Sequence, residues 1–114
     1  MGLGLLIAGA IVALGTLAIL AVVYTIKWLK TRIKQKFQNQ NVKKVAATTL
    51  EQLVQECPNV RTLEELLDDG CTDVIATVDL DGQIEDVEII KNTGSVDPEV
   101  EELLGPKGMV VIQR

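Results

Sequence analysis

Residues 3–26 read LGLLIAGAIVALGTLAILAVVYTI and contain no charged side chain. Thirteen of these 24 residues are Leu, Ile or Val. As one continuous helix they would extend about 36 Å at 1.5 Å per residue, enough to cross the roughly 30 Å hydrocarbon core of a bilayer. The segment therefore predicts an N-terminal single transmembrane helix.

Two other interpretations of this segment are less favoured. A buried core helix would need a partner to cover it, and only the 68 residues of 47–114 remain for a globular core. A cleaved signal peptide would need a basic region before the apolar run and small residues at its end. The chain begins MGLG, and residues 24–27 offer no such cleavage site. We therefore expect the segment to be retained as a membrane span.

The charged residues are divided along the chain. Residues 27–44 carry seven basic side chains and no acidic one, whereas all 16 acidic residues lie between Glu51 and Glu102. A basic flank on the C-terminal side of a span places the following chain in the cytoplasm. The sequence thus predicts a single-pass membrane protein with a cytoplasmic C-terminal domain.

Basic and aromatic residues just after the apolar run predict contacts with membrane lipid. Lys and Arg extend towards headgroups and are attracted to anionic lipid, and Trp is typical of the bilayer interface. The candidate headgroup-binding residues are Lys27, Trp28, Lys30, Arg32, Lys34 and Lys36.

Small residues recur four apart in the apolar segment, as Gly4/Ala8 and Gly9/Ala13. Each pair lies on one face of a helix, where small side chains let a second helix approach closely. These four residues are candidates for helix pairing, and they predict a homo-oligomer assembled through the N-terminal helix.

Capping patterns predict two short helices after residue 46. Thr48 with Glu51 and Thr62 with Glu65 both fit the S/T-x-x-E capping box. Pro58 separates the two helices.

Turn signals predict the rest of the domain. Asp81-Gly82 is typical of a two-residue hairpin loop. Asp97-Pro98 predicts a helix start, and residues 109–112 form a final apolar strand. The predicted fold class is α+β: a transmembrane helix followed by a small α-α-β-β-α-β domain with a mainly antiparallel sheet. The predicted segments are the transmembrane helix 1–26, a basic juxtamembrane neck 27–46 and an acidic α+β domain 47–114.

One face of the predicted hairpin mixes apolar and acidic residues, which is unusual for a half-exposed antiparallel sheet. We interpret this face as a candidate partner surface, unless one of the short helices covers its isoleucines. Its residues are Ile75, Ile84, Asp86, Glu88 and Ile90.

Histidine is absent, which excludes imidazole general-base chemistry and histidine metal ligation. Cys57 and Cys71 without histidine do not make a zinc site. They would be free thiols in the cytoplasm or one disulfide in an oxidising compartment, with a redox role as a third alternative.

Acidic residues near the hairpin turn do not predict a metal site. Asp79, Asp81 and Glu85 provide too short a ligand series for a calcium loop, and turn geometry already explains Asp-Gly. We predict no catalytic residue, no metal or cofactor and no small-molecule substrate.

The acidic C-terminal domain indicates an interaction protein rather than an enzyme. Residues 47–114 contain 16 acidic and four basic side chains, a net charge of −12. A field of this sign favours a basic protein partner and disfavours nucleic acid. The predicted function is a membrane-anchored acidic interaction module at the cytoplasmic membrane surface. The alternative is a structural protein that self-associates through its transmembrane helix, and membrane permeabilisation is a third hypothesis.

Overall fold

The computed structural model describes residues 3–14 and 18–114. These residues form five helices and five strands. The helices are α1 (Leu3–Leu14), α2 (Ile26–Phe37), α3 (Leu50–Glu56), α4 (Arg61–Asp68) and α5 (Pro98–Leu104). The strands are β1 (Ile19–Val22), β2 (Val42–Thr49), β3 (Asp73–Asp79), β4 (Ile84–Asn92) and β5 (Met109–Gln113).

The strands form one mixed sheet in the order β1-β4-β3-β2-β5. β1 runs parallel to β4, with Ile19 opposite Ile89. The pairings of β3 with β4, of β2 with β3 and of β2 with β5 are antiparallel. The fold is therefore α+β, and its sheet includes residues 19–22 of the apolar segment and residues 42–46 of the predicted neck.

The transmembrane prediction is wrong because the apolar segment is divided between a helix and a strand. α1 has 12 residues, about 18 Å at 1.5 Å per residue. Over residues 3–14 and 18–114, no helix combines the length and the apolar character needed to cross a bilayer. An apolar helix of 10–14 residues is typical of a buried core helix.

The membrane predictions that depended on this span are corrected with it. A single-pass topology requires one continuous helix, whereas residues 19–22 pair with β4 and Ile26 already begins α2. The predicted membrane localisation with a cytoplasmic C-terminal domain has the same origin and is also wrong. Residues 15–17, within the predicted span, lie outside the described residues.

Helices cover both faces of the sheet, and two apolar cores result. The first core lies between the sheet and α1, α3 and α4, and it includes Ile7, Leu53 and Val74. The second lies between the opposite face and α2 and α5, and it includes Leu29 and Ile75. Alternate side chains of a strand point to opposite faces, so the adjacent Val74 and Ile75 are fully buried in different cores.

β2 is a central strand, and most of it lies in the segment predicted to be the neck. It lies between β3 and β5, with Val45 opposite both Thr77 and Ile112. Its sequence VKKVAATT contains four β-branched residues, which favour extended structure.

Two helix starts differ from the predicted capping boxes. The cap of α3 is Thr49, whose hydroxyl accepts a hydrogen bond from the Gln52 N–H, one residue after the predicted Thr48. α4 starts at Arg61 after Val60, which has no side-chain acceptor, so the predicted cap Thr62 lies inside the helix. The start of α5 agrees with prediction, because Asp97 accepts from the Glu99 N–H and Pro98 is the first helical residue.

The hairpin has the predicted register in its central part. Val74 faces Ile89 and Ala76 faces Val87, as a two-residue loop would require. A bulge then pairs Val78 with Ile84, and the Asp79 carboxylate accepts hydrogen bonds from two backbone N–H groups of the widened loop.

Candidate functional site

The residues of the predicted partner surface do not form one open face. Ile75 and Ile90 are fully buried in the core beneath α2 and α5. Ile84 is half-buried against the opposite core. Helices cover both of these isoleucines, as in the alternative interpretation of this face.

The acidic members of that face hold α2 on the sheet. Glu88 forms ion pairs with Arg32 and Lys36, and the Lys36 Nζ lies 2.8 Å from the Asp86 Oδ2. Burial raises the pKa of Glu88, but its hydrogen bonds and charge interactions with Arg32 and Lys36 outweigh burial and lower the pKa below 4.5. Ion pairs with α2 therefore explain why this face mixes acidic and apolar residues.

The candidate headgroup-binding residues lie on α2 in three different environments. Arg32 and Lys36 bind Glu88, while Lys27, Lys30 and Lys34 are exposed. Trp28 packs edge-to-face on Tyr24, with ring centroids 5.7 Å apart. A headgroup role for these residues stays a prediction.

The two small-residue pairs of α1 face different surroundings. Ala8 is 2% exposed in the first core, and a Cβ at Gly4 would meet the Glu56 side chain of α3. The Gly4/Ala8 pair thus allows close packing within the molecule. Gly9 and Ala13 are exposed, and self-association through them stays a prediction.

Both cysteines are free thiols buried in the first core. Burial, and to a lesser degree Glu56, raises the pKa of Cys57. Burial and then Asp69 raise the pKa of Cys71, and Lys91 partly offsets them. Protonated, buried thiols are poor nucleophiles, so neither cysteine has the environment of a reactive one.

In the part of the chain that the structure describes, no three Cys, Asp or Glu side chains are arranged to hold a metal ion.

A cavity of about 360 Å³ lies where β2 ends, β3 begins and β4 ends. It opens between the two helical layers, and its apolar walls come from α4, the loop after β4, and α5 through Leu67, Val96, Val100 and Leu104. Its size is at the small end of the roughly 300–1,000 Å³ typical of ligand sites.

Every charged side chain that lines the cavity is acidic. The four residues are Glu51, Asp73, Asp97 and Glu101. Among the described residues, no Lys or Arg side chain lines it. A mainly apolar cavity with acidic groups and no internal counterion is suited to a cationic ligand.

Two buried polar side chains line the same cavity, Asp73 on β3 and Tyr24 just after β1. Asp73 is 7% exposed and Tyr24 is 2% exposed. Burial raises the pKa of Asp73 from 3.8 to about 6, and a hydrogen bond from Thr72 partly offsets it. The carboxylate is therefore largely ionised at neutral pH although it is withdrawn from water.

The Tyr24 hydroxyl has no hydrogen-bond partner within residues 3–14 and 18–114. Burial raises the pKa of this phenol, and the negative charge of Asp73 raises it further, so the hydroxyl stays protonated. A buried hydroxyl without a partner costs about 1–3 kcal/mol, which a bound ligand could recover.

Asp97 and Asn92 are occupied by structural hydrogen bonds. The Asp97 carboxylate accepts from the Ile26 N–H at 2.9 Å and from the Glu99 N–H at 2.9 Å. The Asn92 side-chain oxygen accepts from the Tyr24 and Gly94 N–H groups, each at 3.0 Å. These two residues fix the position of Tyr24 and the loop wall, which leaves Asp73 as the buried carboxylate facing a ligand.

Glu51 and Glu101 are exposed at the mouth of the cavity, on α3 and α5. Lys91 lies outside it, beside Gly70, with its Cε 3.4 Å from where a Cβ at Gly70 would be. Asp73 is paired with Ile90, so strand alternation directs Lys91 to the opposite face of the sheet from Asp73. The mouth therefore has two free carboxylates while the base has one.

No motif in the sequence predicts this site. Asp73 follows a helix end and precedes a β-prone run, and an acidic residue there has no distinctive spacing to Tyr24. The one local signal is an ionisable residue, Asp73, directly before the apolar run of a strand that is buried on both faces. No protein-family model, curated protein or solved structure matches the chain. Function is therefore inferred from the geometry of the cavity.

Proposed function

We propose that this protein is a non-catalytic interaction module that binds a basic segment of a partner protein at the mouth of the acidic cavity. The observation that carries the proposal is that all four charged residues lining the cavity are acidic. A partner with Lys or Arg side chains supplies the missing positive charge.

Charge distribution supports a protein partner approaching from this end. Glu51 lies on the opposite helical layer from the exposed basic residues of α2, whereas Glu101 of α5 shares their layer. These basic residues are Lys27, Lys30 and Lys34. A basic segment is attracted to the acidic mouth and repelled by exposed α2. Complementary fields of this kind increase association rates and disfavour wrong orientations.

Binding of a fluorescein-labelled acetyl-hexalysine amide, measured by fluorescence anisotropy, tests the proposal. In the double variant Glu51→Gln/Glu101→Gln, we expect Kd to rise by about tenfold, since rim charges each contribute on the order of 1 kcal/mol or less. The matched control is Glu64→Gln/Glu85→Gln, which removes two exposed charges that do not line the cavity.

Equal weakening by the two double variants would show attraction to net charge alone and would contradict the proposal. Absence of saturable hexalysine binding by the unmodified chain at low ionic strength would also contradict it. Hexaglutamate of the same length serves as the probe of opposite sign and should not bind.

A further inference from the structure

Two polar groups at the base of the cavity have no role in the proposed binding at its mouth. Asp73 and Tyr24 are both more than nine-tenths buried, and both line the cavity. Within the described chain, the Tyr24 hydroxyl lacks a hydrogen-bond partner. A buried carboxylate and a buried phenol that line one cavity without bonding to each other are a costly arrangement unless a ligand completes it.

We propose that the base of this cavity binds a primary alkylammonium group, the end of a lysine side chain of the partner, between the Asp73 carboxylate and the Tyr24 hydroxyl. This inference rests on the proposed function, because it names the group by which the basic partner is recognised.

The donors and acceptors at the base match an ammonium group better than a guanidinium group. An ammonium is a compact charge with three N–H donors, whereas a guanidinium has five donors in a planar fork. The Asp73 carboxylate and the Tyr24 hydroxyl oxygen both accept hydrogen bonds. Asp97 cannot supply more carboxylate oxygen, because both of its oxygens accept backbone N–H groups. A guanidinium would therefore bury several donors without acceptors.

The walls of the cavity match the methylene chain that precedes the ammonium. Leu67, Val100 and Leu104 line the same cavity as Asp73. A lysine side chain buries its four methylene groups along apolar surface while its charged end reaches a polar partner. Here the ammonium group would lie deepest in the cavity, because its counterion, the Asp73 carboxylate, is at the base.

The charges around Asp73 favour a cation from outside the molecule. On its own strand, alternate residues Ile75 and Thr77 share its face and are uncharged. From α5, Val100 and Leu104 pack over this face, and Glu101 lies at the mouth. Tyr24 approaches from the chain after β1, Thr49 lies opposite on β2, and Lys91 of β4 points to the other face of the sheet. A bound ammonium would thus be the counterion that Asp73 lacks.

Hexalysine and hexaarginine peptides of equal charge provide the first test. We expect the unmodified chain to bind hexalysine about tenfold more tightly than hexaarginine, and Asp73→Asn to abolish this preference while both peptides still bind at the mouth. Tyr24→Phe should weaken hexalysine binding by several fold and leave hexaarginine unchanged. Equal binding of the two peptides by the unmodified chain, or a preference that survives in Asp73→Asn, would overturn the inference.

Titration with n-butylammonium chloride, followed by carbon-detected NMR, locates the ammonium directly. We expect saturable shifts of the Asp73 carboxyl carbon and the Tyr24 ring, and none with n-butanol at the same concentrations. Shifts confined to Glu51 and Glu101 would overturn the inference while leaving the proposed function intact. A folded two-dimensional spectrum of Asp73→Asn is the control against loss of structure.

The two sources of an alkylammonium are separated by their affinities. If the ligand is a partner protein, hexalysine should bind more tightly than n-butylammonium. The difference between the two affinities should be smaller in Glu51→Gln/Glu101→Gln. Equal affinities would indicate a free amine as ligand, so the proposed protein partner would fail while the site at Asp73 would stand.

Discussion

Asp73 is an ionisable residue in a largely apolar environment. The residue is 7% exposed, and Ile75 and Thr77 follow it on the same face of β3. Solvent normally stabilises an ionised carboxylate, and the protein here replaces that solvent with apolar side chains and a hydrogen bond from Thr72. Sites where burial and function conflict in this way are typical of ligand binding.

The titration of Asp73 predicts a specific dependence of stability on pH. Its pKa of about 6 in the folded chain exceeds 3.8, its ordinary value. The folded state therefore holds the proton more tightly, and this contribution to stability is complete below pH 4 and lost as the pH rises through 6. The loss is about 3 kcal/mol, since one pKa unit corresponds to ~1.4 kcal/mol.

Asp73→Asn should remove this dependence. Urea denaturation at pH 4, 5, 6 and 7 should show that the free energy of unfolding of the variant, relative to the unmodified chain, rises with pH. Asp81→Asn, an exposed change in the hairpin loop, is the control and should follow the unmodified chain. A constant difference between Asp73→Asn and the unmodified chain would contradict the prediction.

At the scale of elements, α1 shows how a membrane-like sequence serves as a core helix. Ile7, Ala8 and Ile11 are buried against β4 and α3, whereas Leu6 and Val12 are 54% and 51% exposed. All residues of α1 are uncharged, so its two faces differ in burial and hardly in polarity. Composition alone could not distinguish these faces.

Paired substitutions in α1 test the buried face. Ile11→Ala should destabilise the chain by about 2–5 kcal/mol, because it leaves a cavity in a packed core. Val12→Ala, one residue later on the exposed face, should change stability by less than ~0.5 kcal/mol. Thermal denaturation followed by circular dichroism checks the difference, and equal effects of the two changes would contradict the packing of α1 on the sheet.

The elements that the sequence predicts are those determined by residues close together in the chain. Asp97-Pro98 defines a helix start by itself, and Asp79 to Gln83 form a turn without help from distant residues. β1 and β2 were missed because their neighbours in the sheet are remote in sequence. Ile19 lies opposite Ile89, and an apolar pattern does not reveal whether lipid or protein covers it.

The candidate site was unpredictable for the same reason. Tyr24, Thr49, Asp73, Asn92 and Glu101 come together only when β1, β2, β3 and β4 reach the same end of the sheet. The net charge of 47–114 predicts an acidic surface, and the charged side chains that line the cavity are acidic. The sequence predicts a partner surface on the hairpin face instead. No pattern close in the chain shows that a basic side chain of α2 neutralises Asp86 and Glu88.

At the scale of the whole molecule, the predicted neck and the acidic domain share one sheet. β2 begins at Val42 and separates β3 from β5, so residues before position 47 complete the centre of the sheet. α2 covers the second core from outside the predicted domain. The radius of gyration is 13.0 Å, close to the ~13 Å expected of a compact chain of about 100 residues.

A fragment comprising residues 47–114 should therefore fail to fold. It lacks most of β2 and all of α1 and α2, which exposes Val74 and Ile75 on the two faces of the sheet. We expect the fragment to give a spectrum of an unfolded chain by circular dichroism and no cooperative thermal transition, whereas the full chain gives one. A cooperative transition in the fragment would contradict the interdependence of the segments.

Asp97 binds the first N–H of α2 and an N–H in the first turn of α5 through its two carboxylate oxygens. Both amides would otherwise be unsatisfied helix-start donors, so a single side chain caps the starts of both helices although Asp97 and Ile26 are 71 residues apart in sequence. When this carboxylate swings away, both amides become accessible to solvent deuterium in the same event. The Ile26 and Glu99 amides should accordingly exchange with a common opening free energy, and the wall of the cavity would open as one cooperative unit with the start of α2.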